Sequence, residues 1–208
     1  RSTLSPSSAA SDVYKRQCMN KLELLSEHPD CTEDQLKEIA GLHQALNGII
    51  RLNKSLLLLS RIDNKQFPET RDICLNHLIH KILEGINDIY ERKALHLRVS
   101  EKESLVCTMN ESLATTLITN LIKNAYVHNY EKGDIGITIS RRMLTIANTG
   151  IDKTLDKELL FARFASQSKQ QESTGLGLAI VKSIVDLYSI RIDYQYANGM
   201  HTFTLLFY

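Results

Sequence analysis

The longest pattern in the chain is an apolar stripe at three- to four-residue spacing in its first third. The stripe predicts one helix of roughly 30 residues that begins after Thr32, a good N-cap residue, and ends near Ile62. Its members are Leu42, Leu46, Ile49, Leu52, Leu56 and Leu59. Asn53 lies on the stripe and either fixes its register or occupies the surface. Because one helix cannot bury such a stripe alone, we expect one half of a helical hairpin in a dimeric four-helix bundle.

The segment before this helix has two different patterns. Residues 1–17 hold five serines and a proline with little apolar content, so we expect them to be disordered. They contain no apolar central region, which excludes a secretory signal, and we interpret them as a non-native leader. Residues 19–28 predict the last turns of an amphipathic helix that ends before Pro29.

Beyond Phe67-Pro68, the predicted domain boundary, strands and amphipathic helices are mixed. Strands are predicted at residues 72–75, 95–99, 105–108, 135–139, 143–147, 191–196 and 202–207, and helices at 76–92, 110–129 and 178–188. Asn198-Gly199 predicts a tight hairpin turn between the last two strands. The predicted fold class is α+β, a two-layer α/β sandwich with one mixed sheet under three helices. It occupies residues 67–208 and is preceded by a partial helical hairpin over residues 18–66.

Composition and charge exclude several classes of protein. The 208 residues hold 25 Lys and Arg against 24 Asp and Glu, so no basic field for nucleic acid exists. The longest uniformly apolar run, Leu56 to Leu59, is far too short to span a bilayer, and we expect no direct membrane contact by this segment. The four cysteines lack metal-ligand spacing, which predicts reduced core thiols in a cytosolic chain.

Two stretches carry candidate chemistry. On the helix predicted at 110–129, Asn120 and Asn124 share one face, and His128 follows one turn later. Amide oxygens suit a hard cation such as Mg²⁺, and amide N–H groups suit phosphate oxygens, although such asparagines also make ordinary helix contacts. In the second stretch, Ser173 to Leu187, Gly175 and Gly177 precede an apolar helix. A glycine loop at a helix N-terminus predicts a phosphate cradle, but alone it is equally consistent with a plain turn.

Further motifs lie between these two stretches. A predicted strand ends in the turn Asn148-Thr149-Gly150, and residues 160–164 form a small aromatic cluster with one arginine. Residues 165–174 have no large apolar side chain and predict a mobile lid.

The asparagine helix, the turn, the aromatic cluster and the glycine loop, in this order and spacing, resemble the N, G1, F and G2 boxes of bacterial sensor histidine kinases. The resemblance covers residues 18–208 and implies the Bergerat (GHKL) ATP-binding fold shared with gyrase, Hsp90 and MutL. It implies an enzyme, a protein-histidine kinase that uses ATP and Mg²⁺ and transfers the γ-phosphoryl to a histidine for relay to a response-regulator aspartate. It also implies a homodimer through the hairpin, and a cytoplasmic segment whose parent is anchored in the bacterial inner membrane.

The resemblance implies a role for each motif residue. Asn124 would ligate Mg²⁺, while Asn120 and His128 line the phosphate and sugar side of the pocket. Asn148 and Gly150 would receive the adenine. The other implied ATP-binding residues are Phe161, Arg163 and Phe164, which anchor the lid, and Thr174, Gly175, Leu176, Gly177 and Leu178 at the phosphate cradle.

The chain departs from the family pattern at several positions. Asn148 replaces the usual aspartate, Asp152 replaces the second glycine of the G1 box, and Val127 stands where many members have lysine. No phosphoacceptor motif H-E/D-x-x-T/N-P occurs, so we expect nucleotide binding without self-phosphorylation and no catalytic residue in this chain. Two alternatives stay open, a non-enzymatic dimerisation and docking module of pseudokinase type and another GHKL-type ATPase.

Overall fold

A computed structural model describes residues 6–164 and 175–208, with side chains from residue 13 onward except that of Asn87. The chain forms two compact units, Arg1–Leu56 and Leu57–Tyr208. Their boundary lies within the long helix, before the boundary predicted at Phe67. Leu59 and Ile62, in the last turns of that helix, are 1% and 3% exposed and belong to the core of the second unit.

The first unit contains α1 (Pro6–Ser26) and most of α2 (Glu33–Asp63). The long predicted helix is therefore confirmed. Thr32 caps α2, because its Oγ1 accepts a hydrogen bond from the Gln35 backbone N–H at 3.3 Å. The Gln35 side chain accepts in return from the Thr32 N–H at 2.9 Å, which completes a capping box.

α1 begins inside the segment predicted to be disordered, so that prediction is wrong for residues 6–17. Pro6 occupies the first helical position, where its missing N–H removes no helical hydrogen bond. Ala9 and Ala10 are strong helix formers, and the serines around them are tolerated in a helix. Serine content alone was a poor criterion for disorder in this stretch.

The second unit alternates strands and helices. In chain order its elements are β1 (Arg71–Cys74), α3 (Leu75–Tyr90), a 3₁₀ turn (Glu91–Lys93), β2 (His96–Glu101), β3 (Val106–Met109), α4 (Glu111–Val127), β4 (Asp134–Ser140), β5 (Met143–Thr149), α5 (Lys157–Leu160), α6 (Gly177–Leu187), β6 (Arg191–Ala197) and β7 (Met200–Leu206). Every predicted strand and helix of this region is present, with ends that differ by one or two residues. The 3₁₀ turn and α5 were not predicted, because three or four residues are too few to establish a periodicity.

Five strands form a mixed sheet in the order β2-β4-β5-β7-β6. β2 and β4 are parallel and the other neighbours are antiparallel, as expected for an α+β fold. The prediction of a single sheet is wrong, because β1 and β3 pair only with each other. Each of these two strands has four residues and leads directly to a helix, so the pair forms a small separate ribbon.

The core lies between the mixed sheet and the helices, and α4 is its centre. α4 contacts α3, α6 and β5, and its residues Leu113, Leu117 and Leu121 are at most 1% exposed. The sheet supplies alternate residues, so that Ile135 and Ile137 of β4 are buried while their neighbours are half-buried. The helix-over-sheet arrangement that the apolar pattern predicts is confirmed.

Asn198 and Gly199 form the predicted turn between β6 and β7, with φ of 52° and 75°. Positive φ at both positions is the requirement of a type I′ hairpin turn. All four cysteines are free thiols, as predicted, but none of them is buried in the core. Among the described residues, we find no helix with the length and apolar content that a membrane crossing requires.

Candidate nucleotide site

Asn120, which shares one face of α4 with Asn124, lies against the start of α6. The Asn120 side chain is held in place because its Nδ2 donates to the Thr116 carbonyl at 2.8 Å. A Cβ atom added at Gly177 would lie only 2.9 Å from Asn120 Oδ1, so a side chain at Gly177 does not fit there. Asn124 is half-buried one turn further along α4, and His128 ends the helix with its backbone N–H bonded to the Asn124 carbonyl. The fold thus brings two of the predicted motifs into contact.

The start of α6 places backbone N–H donors next to α4. Leu176 is the N-cap residue of this 11-residue helix, and no side chain from the described part of the chain caps it. The first N–H groups of an uncapped helix, together with its dipole, attract an anion such as phosphate. Gly175 has a φ of 66°, which glycine adopts without strain. Leu176 is fully buried and anchors the loop in the core.

The turn after β5 contacts the C-terminal end of α4. Gly150 has no room for a side chain, because a Cβ there would lie 2.9 Å from the His128 carbonyl oxygen and 3.1 Å from His201 Cδ2. Asn148 is 2% exposed, and its Nδ2 donates to the Thr149 carbonyl at 2.7 Å. The predicted turn is therefore in contact with the C-terminal end of the asparagine helix.

A buried hydrogen-bond network that the sequence did not reveal supports this turn. Thr149 Oγ1 donates to Asn129 Oδ1 at 2.6 Å and accepts from the Asp134 N–H at 2.9 Å. Asn129 Nδ2 donates in turn to the Asp134 carbonyl at 3.1 Å. A Cβ at Gly133 would lie 2.1 Å from Asn129 Oδ1, so only glycine fits against the network. The one sequence signal for it was the position of Asn129 and Thr149 next to His128 and Asn148.

Lys93 holds the end of α4 and was also missed. Its ammonium group donates to the carbonyl oxygens of Tyr126, Val127 and Asn129 at 3.0, 2.9 and 2.9 Å. These oxygens lie at a helix C-terminus, where carbonyls lack intrahelical partners and a cation is favourable. The three donors of one lysine therefore cap α4 where it meets the turn after β5.

His128 lies in a positively charged environment. Its pKa is lowered, first because partial burial of the ring penalises the charged form, and second because the ammonium group of Lys93 adds positive charge nearby. The lowered pKa favours the uncharged form of the ring, which can donate or accept a hydrogen bond.

The aromatic cluster is only partly connected to these groups. The Phe164 N–H donates to the Gly175 carbonyl at 3.1 Å, which ties the cluster to the glycine loop. Phe161 is half-buried, whereas Phe164 is exposed with a φ of 65°. Arg163 forms an ion pair with Asp63 at 2.9 Å, at the end of α2. The predicted lid, residues 165–174 including Thr174, lies outside the described residues.

The donor set fits a metal that arrives with a nucleotide better than a permanently bound one. In the ranges that the structure describes, no group of three or more His, Cys, Asp or Glu side chains could hold an ion. The amide oxygen of Asn124 is a hard ligand of the kind that Mg²⁺ accepts alongside phosphate oxygens and waters. The residues present therefore fit Mg²⁺ carried by ATP.

Comparison with known proteins agrees with this arrangement. A family model described as "Histidine kinase-, DNA gyrase B-, and HSP90-like ATPase" matches residues 109–207. The heme sensor protein HssS of Staphylococcus saprophyticus subsp. saprophyticus is 33% identical over 177 residues, which are 81% of this chain and 38% of that protein. The sensor histidine kinase HprS of Escherichia coli (strain K12) is 29% identical over the same shares of the two chains. The chain thus spans well under half the length of these curated relatives.

Solved structures show the same fold. The Acinetobacter baumannii histidine kinase AdeS superposes with a TM-score of 0.66 at 19% identity, over 92% of this chain and 93% of that one. The cytoplasmic segment of histidine kinase QseC gives a TM-score of 0.56 at 20% identity, over 76% and 91% of the two chains. A docking module or a gyrase-like ATPase is not favoured, since the relatives named here are sensor proteins. The chain belongs to the sensor histidine kinases and contains their C-terminal ATP-binding catalytic domain, which is of the type shared with DNA gyrase B and HSP90.

Proposed function

We propose that the second unit binds Mg-ATP between α4, the end of β5 and the start of α6, and supplies its γ-phosphoryl group to a histidine. The observation that carries the proposal is the close approach of two glycines to α4. Gly177 lies against Asn120, and Gly150 lies against the carbonyl of His128. The start of α6 and the turn after β5 thereby both lie against α4, the helix that carries the asparagine amides. ATP offers matching triphosphate, metal and adenine groups.

The phosphate end of the nucleotide would lie at α6. The N–H groups that follow Leu176 would donate to phosphate oxygens, and Asn120 would add an amide from the facing helix. Asn124 would ligate Mg²⁺, which neutralises charge on the phosphates when it is bound. The chain's own contribution is to position and orient the triphosphate, which accounts for most of catalysis in phosphoryl transfer.

The base end would lie at Asn148 and Gly150. The Thr149 carbonyl engages the amide nitrogen of Asn148, so Asn148 offers its oxygen as an acceptor. An acceptor at this position suits the exocyclic amine of adenine, as the usual aspartate does. Replacement of aspartate by Asn148 is therefore compatible with adenine recognition, and the small Gly150 leaves room for the ring.

The second part of the proposal concerns the histidine that accepts the phosphoryl group and the partner proteins. None of the histidines of the chain stands in a phosphoacceptor motif, so we place the accepting histidine outside this set. In the parent protein, a homodimer formed through the helices of the first unit would bring the ATP site to such a histidine, and a response-regulator receiver domain would take the phosphoryl group onto an aspartate. Anchoring of the parent protein in the bacterial inner membrane completes the proposal.

The test is calorimetric titration of the chain with a non-hydrolysable ATP analogue, with Mg²⁺ and with excess EDTA. We expect binding that requires Mg²⁺ and that falls by at least about tenfold in Asn124→Ala, since the metal loses a protein ligand. Asn64→Ala is the matched control, because Asn64 is exposed and bonds only locally to the Ser60 carbonyl. Absence of binding by the folded chain, or equal affinity in the absence of Mg²⁺, would contradict the proposal.

A further inference from the structure

The loop after the adenine turn lacks the glycine that its family position normally has. This loop, residues 150–156 between β5 and α5, is called here the post-β5 loop. It carries Asp152 at that position, and Asp152 is exposed and outside the positive-φ region. Most of the loop is solvent-exposed, so the loop's own side chains bury little that could hold its shape. Inside the loop, the Lys153 N–H donates to the Ile151 carbonyl at 2.7 Å. Further hydrogen bonds to the loop come from elsewhere in the fold.

Three side chains of the β6–β7 hairpin provide that support. The His201 Nε2–H donates to the Ile151 carbonyl at 2.9 Å, and Tyr194 Oη accepts from the Leu155 N–H at 3.2 Å. The Tyr196 hydroxyl donates to the Asp152 carboxylate. These three residues are called the Tyr–His clamp, and they bond to the loop at residues 151, 152 and 155.

The hydrogen bonds of the clamp form one consistent chain. A carbonyl oxygen can only accept, so the proton of neutral His201 lies on Nε2, toward Ile151. His201 Nδ1 is then an acceptor, and the Tyr194 hydroxyl group donates a hydrogen bond to it at 2.8 Å. The Tyr194 oxygen keeps a lone pair for Leu155. His201 and Tyr194 are only 5% and 1% exposed, so this chain is shielded from water and each member depends on the others.

The clamp also touches the proposed base site. His201 lies directly opposite Asn148 in the β5–β7 register, and both side chains are buried. The ring of His201 occupies the space that a Cβ atom at Gly150 would need. One histidine thus contacts the turn that would receive adenine and fixes the loop that continues from it.

We propose that His201 is a positioning residue for the nucleotide. Through Tyr194 and the Ile151 carbonyl, it fixes the post-β5 loop in its binding shape before the nucleotide arrives, which offsets the absence of the second glycine. The inference rests on the proposed function of the site. A loop that is ordered in advance loses less conformational entropy on binding, so its support raises affinity. The Mg²⁺ requirement, which resides in Asn124, is independent of it.

The test compares His201→Leu, His201→Gln and Tyr194→Phe with Tyr208→Phe, a control on an exposed terminal tyrosine. We expect His201→Leu and Tyr194→Phe to bind the ATP analogue about tenfold more weakly while they keep the Mg²⁺ requirement. Glutamine places an amide N–H near the Nε2 position and can donate to the Ile151 carbonyl. His201→Gln should therefore recover most of the affinity, a rescue that a merely space-filling histidine would not give.

Amide hydrogen exchange without nucleotide tests the support of the loop separately. In Tyr194→Phe, which removes one hydroxyl group and leaves the ring, the Leu155 amide should lose protection while the amides of β6 and β7 keep theirs. Wild-type protection of Leu155 together with wild-type affinity in Tyr194→Phe and His201→Leu would overturn the inference. If the unaltered chain binds no nucleotide, the proposed function fails and the affinity role of His201 fails with it. If the hydrogen-exchange rate of the Leu155 amide is unchanged in Tyr194→Phe, the role of the clamp is overturned even when the nucleotide binds.

Discussion

The two units of the chain differ in how far they bury their apolar residues. In the second unit, a mixed sheet and its helices enclose a continuous core that includes Leu113, Leu117 and Ile137. In the first unit, none of the side chains described from residue 13 to 56 is buried, although its helices are longer. Helix length and apolar content therefore do not by themselves make a core. A second layer is needed.

The difference has a consequence for the apolar stripe of α2. Leu42 and Ile49 lie on the stripe that predicted the helix, and they are 58% and 59% exposed. An exposed stripe of this kind is typical of a surface that another helix covers. The second unit holds the candidate nucleotide site and its own core, whereas the first unit leaves part of its apolar stripe exposed. The predictions below test this contrast.

The largest expected effect is on the core of the second unit. Leu117→Ala should lower the free energy of unfolding by about 2–5 kcal/mol, because Leu117 is fully buried at the centre of α4 and leaves a cavity. Leu42→Ala removes the same atoms from an exposed position of the first unit and should change it by less than about 0.5 kcal/mol. Urea denaturation, followed through the unfolding of the second unit, measures the free energy of unfolding of both variants. Equal losses would contradict the contrast.

A smaller loss is expected from the cap of α4. Lys93→Met keeps the length of the side chain and removes its three hydrogen bonds to the carbonyls at the helix end. We expect a loss of about 1–3 kcal/mol, because partly buried carbonyls lose a charged donor. Lys123→Met, at an exposed position of the same helix, is the control and should be nearly neutral. A Lys93 variant as stable as this control would show that water replaces the ammonium group without cost.

The smallest effect concerns pH. The pKa of His128 is lowered in the fold, first by partial burial and then by the charge of Lys93. The unfolded chain therefore takes up this proton more readily than the folded one. The free energy of unfolding should fall as pH drops through the ordinary value of 6.5 toward the lowered folded value. His128→Gln should show a shallower dependence in urea titrations over this range, and an unchanged slope would contradict the assignment.

How much the sequence could predict depends on the distance between interacting residues. The Asn198-Gly199 turn and the helix at residues 110–129 come from local patterns, and both were predicted correctly. Asn120, Asn124, Asn148 and the glycines of the site carry a motif order that is visible in the sequence. What was missed joins distant segments. Lys93 reaches carbonyls 33 to 36 residues away, and His201 bonds to Ile151 across 50 residues.

The errors have the same origin. The pairing of β1 with β3, apart from the mixed sheet, depends on strand neighbours that no local pattern specifies. The helical α1 depends on a favourable Pro6 position rather than on serine content. The boundary at Phe67 rests on turn-forming residues and stays a prediction, while the division into compact units lies just before Leu59 and Ile62 enter the core. Local chemistry thus located the motifs, and tertiary packing determined what supports them.

The most direct test of the account is amide hydrogen exchange of the whole chain with and without a Mg²⁺-bound, non-hydrolysable ATP analogue. The account predicts new protection in α4 from Asn120 to His128, in the post-β5 loop and at the start of α6. It predicts no change in α1, because the residues of the proposed site all belong to the second unit. Protection of the first unit alone, or analogue binding that leaves these three segments unchanged, would contradict a nucleotide site in the second unit.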